Sequence, residues 1–365
     1  MARRLTIAVV GGGHGGYASA GDLAERGHRV RLWRRNATEL ELLAKEGGLT
    51  LLDAGGERRI LLDAVSADIG EAVRDADLVI VPLPATAQED VARALAPHLQ
   101  AGQVVFAPPG TFGSFLMART VAETRGGLDV MWAEAGTLPY LARKHGPTKV
   151  AVTARATRLP SGVFPARRTD AAFDVLRQAF PAVEPRADAM DAALTNAGPV
   201  IHPPLVVLNA APIQHFDAWD IHNEGTQSAV RMVQDALDAE RIRVREALGY
   251  TAPHYPLADH YSTEGEEWMY GNAAHERLVD SSDWREPLDL EAHRYVREDI
   301  GCGLALLVSI GSWAGVETPV ARGLLEVTRA FAPKSVEGGR TLDALGLAQM
   351  TAPELQHLLR QGLAA

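Results

Sequence analysis

Three glycines near the N-terminus have the spacing that a phosphate-binding turn requires. Gly11, Gly13 and Gly16 follow the apolar run Leu5–Val10 and lead into the Ala/Leu-rich stretch Tyr17–Arg26. In a strand–turn–helix unit the first glycine permits a tight turn, the second admits a pyrophosphate, and the third lets the helix pack on the strand. The helix N-terminus then faces the anion. The pattern predicts a dinucleotide-binding turn; a glycine-rich turn with a purely structural role is the alternative.

The residues after the second expected strand, Val30–Trp33, bear on the choice of cofactor. They are Arg34, Arg35 and Asn36, where NAD-binding proteins usually carry an acidic residue against the ribose 2′-hydroxyl. A carboxylate there would repel a 2′-phosphate, whereas a guanidinium binds it bidentately. We therefore expect NADP(H), with NAD(H) and ordinary solvated charges as the alternatives. His14 belongs to the cofactor loop by position, and we expect its ring to face solvent.

A histidine followed by two prolines is the first candidate for acid–base chemistry. His202 precedes Pro203 and Pro204, which predicts an extended His202 at the N-terminus of a helix spanning Pro204–Ala210. The helix dipole would lower the pKa of this imidazole, and a neighbouring carboxylate would raise it. The two influences together suit a base that titrates near neutrality. Without a partner, a structural histidine is the simpler interpretation.

Arg294 and Asp299 are the candidate partners. On a regular α-helix, residues five apart are separated by about 140°. The two side chains share one pocket only if a helix begins between them, with Asp299 in its first turn, and the apolar run Ile300–Ile310 supports such a helix. Asp299 would then orient His202, and Arg294 would bind a substrate carboxylate. The alternative is a surface cluster of charges.

The elements that must position these residues change character along the chain. Strands are expected at Leu5–Val10, Val30–Trp33, Asp77–Val81, Gln103–Ala107 and Val130–Ala133, with helices at Tyr17–Arg26 and Glu89–Leu95. This alternation predicts an α/β, doubly wound parallel sheet. From Ala187 the helical period dominates, with helices expected at Thr226–Leu248, Glu298–Ala314 and Val320–Phe331. We predict an N-terminal Rossmann domain over 1–186 and an all-helical substrate and catalytic domain over 187–365.

Composition limits the classes of partner. A net charge of −10 argues against a nucleic-acid or anionic-membrane surface protein. No apolar run approaches the roughly 20 residues that span a bilayer. The single cysteine, Cys302, excludes an internal disulfide and a multi-cysteine metal site, so we expect no metal and a cytoplasmic location. Small-molecule substrates are the expected partners.

Four motifs occur in a characteristic order in the second half of the chain. They are NAxxxxHP with LNA (Asn196–Ala210), DAER (Asp238–Arg241), RYxxED (Arg294–Asp299) and GRTLxxLGL (Gly339–Leu347). Together with the glycine turn, this combination resembles the opine dehydrogenases over essentially the whole chain. The resemblance implies a Rossmann domain joined to a helical opine dehydrogenase domain. It also implies NAD(P)H-dependent reductive condensation of an amino acid, or another amine, with a 2-oxo acid such as pyruvate, and it is compatible with a homodimer.

The resemblance also implies roles for individual residues. His202 matches the catalytic histidine, Asp299 its paired aspartate, and Arg294 the arginine that binds the oxo-acid carboxylate. Pro84 and Gly110, the latter within APPGTFG, are expected at the cofactor. One departure concerns the ribose, because a bacterial member of the family carries an acidic residue where this chain has Arg34.

Two other functions share the two-domain plan or the cofactor. Ketopantoate-type reductases, glycerol-3-phosphate dehydrogenases and related 3-hydroxyacid dehydrogenases place a catalytic lysine in or near the helical domain. After Lys149 this chain has only Lys334, which weakens the 2-oxo acid reductase alternative. A non-catalytic NADP-binding redox sensor is the alternative of another class. Five further candidates could line the amine pocket or be ordinary packing and loop residues: Asp217, Trp219, His222, Glu224 and the aromatic stretch Tyr261–Tyr270.

Overall fold

Apolar strands in the first half of the chain assemble into a mostly parallel sheet. The structure is a computed structural model that describes residues 3–363. The strands of this sheet are β1 (Thr6–Val10), β2 (Arg29–Trp33), β5 (Ala64–Ser66), β6 (Leu78–Ile80), β7 (Val104–Ala107), β8 (Met131–Ala135), β11 (Leu159–Phe164) and β12 (Val183–Pro185). Their order is β12-β11-β8-β7-β6-β1-β2-β5. Neighbouring strands are parallel except β8 and β11.

A second sheet, which the sequence analysis did not predict, covers the first helix. Its four strands are β3 (Gly48–Asp53), β4 (Gly56–Leu61), β9 (Tyr140–Lys144) and β10 (Lys149–Arg155), in the order β4-β3-β10-β9. Helix α1 (His14–Glu25) packs against both sheets. Its central residues are buried for that reason, and Tyr17 and Leu23 belong to the core between the two sheets.

Local signals explain where several helices begin and end. The remaining helices of the first half are α2 (Ala37–Glu46), α3 (Ile69–Val73), α4 (Gln88–Leu95), α5 (Gly113–Arg125), α6 (Thr169–Ala179) and α7 (Ala189–Ala193). Asn36 caps α2 by accepting a hydrogen bond from the Glu39 N–H at 3.3 Å. Gly47 ends α2 with φ of 70°, a left-handed conformation that glycine adopts without strain.

Helices form the second half. They are α8 (Gly198–Leu208), α9 (Ala210–His215), α10 (Ser228–Ala247), α11 (Ala274–Asp280), a π-helix (Tyr295–Leu304), α12 (Ala305–Ala314), α13 (Pro319–Phe331), α14 (Pro333–Val336) and α15 (Ala352–Gln361). Within the described part of the chain no strand follows β12, apart from one isolated bridge between Trp219 and Glu286. The predicted change from α/β to helical structure is therefore confirmed.

The DAER motif holds the helical half together. Asp238 accepts hydrogen bonds from the Leu257 N–H and from Arg241, both at 2.7 Å. Glu240 accepts from the N–H groups of Val320 and Ala321 at 2.8 and 2.9 Å, at the start of α13. An acidic side chain at a helix N-terminus satisfies amides that have no partner within the helix. The motif thus has a structural role.

The chain divides into two compact units. The first comprises Met1–Leu83, Ala87–Ala193 and Gln356–Ala365, and the second comprises Pro84–Thr86 and Leu194–Leu355. The sequence analysis placed one boundary at 186/187; the units divide at 193/194 and also exchange two short segments. Among the described residues, no helix has the length and apolar character needed to cross a bilayer.

Candidate active site

The glycine turn has the backbone geometry that a dinucleotide requires. Gly11 adopts φ of +134°, which residues with a side chain rarely adopt. A Cβ on Gly16 would lie 2.0 Å from the Gly11 carbonyl oxygen, so α1 reaches the turn only because Gly16 has no side chain. A Cβ on Gly13 would meet no atom within 4 Å. The turn is therefore tight on its inner side and open at Gly13, which fits a pyrophosphate.

The residues after β2 differ from one another in their surroundings. Arg34 turns back over the glycine turn: its Nη1 donates to the Tyr17 hydroxyl at 2.7 Å and to the Gly12 carbonyl at 3.3 Å. Arg34 also forms an ion pair with Glu39. Arg35 is exposed, and the exposed Asn36 is the α2 cap. Arg34 is thus built into the turn and is more than a solvated charge at a strand end.

The expectation that the His14 ring faces solvent is wrong. His14 is the first residue of α1 and is half-buried. Its Nδ1 accepts a hydrogen bond from the backbone N–H of Lys144 at 2.9 Å. The ring therefore links the glycine turn to β9 of the second sheet, a pairing that no local sequence signal announces.

Gly110 and Pro84 lie in different surroundings. The Gly110 carbonyl accepts from Gln88 Nε2 at 3.0 Å, and a Cβ on Gly110 would lie 2.3 Å from the Glu134 side chain. Glu134 in turn accepts from the N–H groups of Phe112 and Ser114 at 2.8 and 2.9 Å. The buried Gln88 and Glu134 thus fix this loop, and the sequence analysis overlooked both. Pro84 is exposed and belongs to the second unit.

His202 lies inside a helix, contrary to the sequence prediction. Helix α8 begins at Gly198, so His202 is its fifth residue and Pro203 and Pro204 lie within the helix. The predicted extended conformation and start at Pro204 are wrong, because Pro199 occupies the first turn and begins the helix earlier. The effect of a helix N-terminus on a pKa falls off within the first turn. The position of His202 in α8 therefore gives no reason to expect a lowered pKa from this source.

Asp299 is the partner of His202. His202 Nδ1 lies 2.7 Å from Asp299 Oδ2. Two glycines permit this approach: a Cβ on Gly198 would lie 2.2 Å from Asp299 Oδ1, and one on Gly303 would lie 2.1 Å from Pro199 Cγ. Close packing of α8 on the π-helix therefore creates the pair.

Arg294 and Asp299 are brought to the same side of one helix. The helix begins between them, as predicted, but at Tyr295 and not at the expected Glu298, so Asp299 is its fifth residue and lies beyond the predicted first turn. It is a π-helix with i→i+5 hydrogen bonds, and its wider turn leaves residues five apart closer in angle than the about 140° of a regular α-helix. Arg294 is half-buried, and its guanidinium carbon lies 4.9 Å from the centre of the Tyr295 ring.

The acidic groups of the π-helix are buried and affect each other. Burial raises the pKa of Asp299 well above that of an ordinary aspartate, and the Arg294 charge opposes this shift. Burial and the neighbouring Asp299 also raise the pKa of Glu298. Glu298 accepts from the Ala85 N–H at 3.2 Å, so its surroundings differ from those of Asp299. Of the two, Asp299 is the one that lies within hydrogen-bonding distance of His202 Nδ1, at 2.7 Å.

Aromatic rings enclose the histidine. The Tyr295 ring stacks on His202 with centroids 3.9 Å apart, and the His222 ring lies 5.6 Å away. Trp284 contacts His222 at 5.5 Å. The sequence analysis named His222 as a candidate and missed Tyr295 and Trp284. By contrast, Trp219 donates to Asn209 at 3.1 Å and has a structural contact.

Comparison with known proteins finds matches to both halves of the chain. The model of the family described as NAD/NADP octopine/nopaline dehydrogenase, alpha-helical domain, matches residues 185–332, and that of the ketopantoate reductase PanE/ApbA family matches 7–107. An opine dehydrogenase of Arthrobacter sp. (strain 1C) is 28% identical over 96% of this chain and 98% of its own. The chain is similar to this opine dehydrogenase over nearly its whole length, and its helical part matches the α-helical domain of the octopine/nopaline dehydrogenases.

Solved structures of opine dehydrogenases have the same fold. Octopine dehydrogenase in complex with NADH and agmatine aligns with a TM-score of 0.74 at 19% identity, covering 99% of both chains. Yersinopine dehydrogenase with NADP+ bound aligns at 0.64 and 18% identity, again covering 99% of both. The predicted fold class, family resemblance and NAD(P)-dependent oxidoreductase activity are confirmed. The site residues predicted for this opine dehydrogenase homologue stay predictions.

Proposed function

We propose that the protein catalyses NADPH-dependent reductive condensation of an amino acid, or another amine, with a 2-oxo acid such as pyruvate. The product is an N-(carboxyalkyl)amino acid, and the reverse reaction oxidises it. The observation that carries the proposal is the 2.7 Å contact between His202 and Asp299 within a helical domain of the opine dehydrogenase family. A histidine oriented by a buried carboxylate is suited to repeated proton transfer.

His202 moves protons on the amine. With Nδ1 engaged by Asp299, exchange with the substrate goes through Nε2. The imidazole takes a proton from the substrate ammonium, and the amine nitrogen then attacks the oxo carbon. The imidazolium returns that proton to the oxo oxygen, which becomes a hydroxyl. A second proton moves from the attacking nitrogen to this hydroxyl, and water leaves as the protonated C=N bond forms. When bound, the reduced nicotinamide supplies the hydride that reduces the C=N carbon.

Asp299 and Arg294 act on geometry and charge. Asp299 holds one tautomer of His202 and stabilises its protonated form. Arg294 offers two parallel N–H groups to the carboxylate of the oxo acid. Fixing this carboxylate presents one face of the oxo carbon for attack, and such positioning supplies much of the acceleration in two-substrate reactions.

The first unit holds the cofactor. Gly11, Gly13 and Gly16 would receive the pyrophosphate, and Arg34 with Arg35 would bind the 2′-phosphate of NADP(H), which we favour over NAD(H). The remaining residues assigned to the cofactor are His14, Asn36 and Gly110 of the first unit and Pro84, which belongs to the second. Support comes from the open Gly13 and from the guanidinium of Arg34 at the glycine turn.

The test follows NADPH oxidation with pyruvate or glyoxylate, alone and with a panel of amino acids. We expect oxidation only when an oxo acid and an amino acid are both present. The ketopantoate reductase match over 7–107 makes a simple oxo-acid reductase the competing enzyme, and equal oxidation without the amine would establish it. NADPH binding without oxidation in any mixture would instead indicate a redox sensor.

We also propose that the protein is a homodimer in the cytoplasm. Each chain has a cofactor domain and a catalytic domain. Large apolar side chains exposed on the second unit support self-association: Leu208, Phe216, Met232 and Val327. The single, buried Cys302 agrees with a reducing compartment. Light scattering tests the dimer, and cell fractionation tests the location.

A further inference from the structure

Two cations and one carboxylate converge beside the glycine turn. Arg34 Nη1 and Lys144 Nζ both donate to the Gly12 carbonyl, at 3.3 and 3.2 Å. The Glu39 carboxylate pairs with both, and its distance to Lys144 Nζ is 2.7 Å. We call Arg34, Glu39 and Lys144 the Gly12 charge cluster. It brings together the end of β2, the first turn of α2 and the end of β9.

Tyr17 supports the cluster without adding charge. Lys144 Nζ lies 4.1 Å from the centre of the Tyr17 ring, and the guanidinium carbon of Arg34 lies 5.7 Å from it. The Tyr17 hydroxyl donates to the Pro147 carbonyl at 2.9 Å. Burial raises the pKa of Tyr17 to about 12, so the hydroxyl stays neutral. The cluster therefore has a net charge of one positive unit from its two cations and one carboxylate.

Lys144 is held in place by its backbone and by its surroundings. Its N–H donates to His14 Nδ1 at 2.9 Å, which joins the residue to the start of α1. Its side chain is 16% exposed and that of Arg34 is 12% exposed. Charges this shielded from water interact more strongly than surface pairs do. A lysine fixed in this way acts as a built part of the turn.

Glu39 is ionised and occupies both cations. Burial opposes its charge, but the hydrogen bond and charge of Lys144 together with Arg34 hold the pKa of Glu39 below its ordinary value. Its carboxylate is the anion that the two cations share in this structure. A phosphate monoester carries about −1.5 to −2 charges at neutral pH and offers three acceptor oxygens. Such a group would pair with both cations and repel Glu39.

We propose that Lys144 joins Arg34 in binding the 2′-phosphate of NADPH, and that Glu39 is the internal counter-ion which this phosphate must displace. The inference rests on the proposed NADPH preference and adds two specificity-determining residues to it. Lys144 favours the phosphate, whereas Glu39 opposes it and suits a 2′-hydroxyl, from which a carboxylate accepts a hydrogen bond. Their balance sets the ratio of NADPH to NADH affinity.

The test measures binding of 2′,5′-ADP and 5′-ADP to the full-length protein by titration calorimetry, which requires no turnover. Lys144→Met should weaken 2′,5′-ADP binding about tenfold or more and leave 5′-ADP binding within about twofold. Glu39→Gln should tighten 2′,5′-ADP binding several-fold. Lys149→Met is the matched control, because Lys149 lies at the start of β10, the strand next to β9, and pairs with Glu57 of β4. This variant should bind both ligands as the unmodified protein does.

The outcomes separate this inference from the proposed function. If the unmodified protein binds the two nucleotides equally, the NADPH preference fails. If it discriminates but Lys144→Met behaves like Lys149→Met, the role of Lys144 is overturned while the preference stands. Weaker 2′,5′-ADP binding in Glu39→Gln would overturn the counter-ion role. Lys144→Arg keeps the positive charge and should still bind 2′,5′-ADP more tightly than 5′-ADP. Loss of this difference in Lys144→Arg, with 5′-ADP binding intact, would contradict the proposal. Urea unfolding checks that each variant is folded.

Discussion

The two polar clusters of this protein are assembled in opposite ways. In the first unit, the Gly12 charge cluster is made of long side chains, and each cation has more than one acceptor. In the second unit, His202 and Asp299 are shorter side chains that meet at 2.7 Å. Long side chains that share acceptors can exchange one acceptor for another while their backbones stay in place, whereas a pair fixed by two packed helices cannot. The first arrangement suits selection among ligands and the second suits chemistry.

The backbone explains the difference. Gly198 and Gly303 let α8 and the π-helix approach until the pair forms, so the contact is set by the helix axes. Sites on rigid elements hold their geometry better than sites that depend on side-chain rotamers. Changes in the catalytic pair should therefore abolish turnover, and changes in the charge cluster should shift cofactor preference by degrees.

Removing the imidazole should have the largest effect. His202→Ala should lower kcat about a thousandfold, since a positioned acid–base group contributes about 10²–10⁴. The affinity for NADPH, measured by fluorescence titration, should change less than about twofold. His215→Ala, at an exposed position in α9, is the control and should retain activity. Loss of NADPH binding in His202→Ala would make the histidine a structural residue and erase the contrast.

Removing the charge of Asp299 should also act on kcat. Asp299→Asn should lower it about a hundred- to a thousandfold, because the amide no longer stabilises the protonated imidazole. Burial raises the pKa of Asp299. As the pH is lowered, Asp299 of the unmodified enzyme should therefore become protonated, and kcat should fall, at a higher pH than for an ordinary aspartate. A pH profile of kcat measures this. An unchanged acidic limb in the Asn variant would assign that limb to another group.

Reversing the charge beside the glycine turn should affect one cofactor only. Arg34→Asp combined with Arg35→Ala should raise the KM for NADPH about a hundredfold and that for NADH far less, because only NADPH carries the 2′-phosphate. Steady-state kinetics with both cofactors measures the ratio. Arg59→Asp on β4 is the control. Equal changes for both cofactors would remove the 2′-phosphate assignment.

A buried histidine near the catalytic helix should affect stability alone. Burial lowers the pKa of His260 to about 3, whereas an unfolded histidine titrates near about 6.5. Below pH 6.5 the unfolded chain gains a proton that the folded one does not, so His260 should cost about 2 kcal/mol of stability at pH 5 and nothing above neutrality. His260→Phe should reduce the loss of stability between pH 7 and pH 5 in urea unfolding. His215→Phe, at an exposed position, should leave this loss unchanged. The same dependence of unfolding free energy on pH in both variants would contradict the burial argument.

Several elements of both units follow from local sequence patterns. The predicted strand Leu5–Val10 corresponds to β1, and the glycine turn lies where its spacing requires. Helix α10 lies within the predicted Thr226–Leu248. Apolar periodicity and glycine spacing act within about ten residues, so one sequence is enough to read them. The motifs that contain His202 and Asp299 are also local, and the structure brings the two side chains together, while their catalytic roles stay predictions.

The missed features depend on residues far apart in the chain. Strand β3 pairs with β10, so the second sheet and the position of Lys144 have no local signature. The π-helix packs against α8, whereas apolar periodicity predicted a regular helix at this position. A proline in a helix interior costs about 3 kcal/mol, so the sequence predicts Pro203 and Pro204 near the start of a helix. In α8 both lie inside the helix, so tertiary packing outweighs this local preference.

The most direct test of the proposed chemistry is the mass of the product formed from NADPH labelled with deuterium at the transferred position. Incubation with pyruvate and an amino acid should give an N-(1-carboxyethyl)amino acid with one deuterium on the former oxo carbon. His202→Ala should give none. Deuterated lactate formed at the same rate with and without the amino acid would contradict the account and make the protein an oxo-acid reductase.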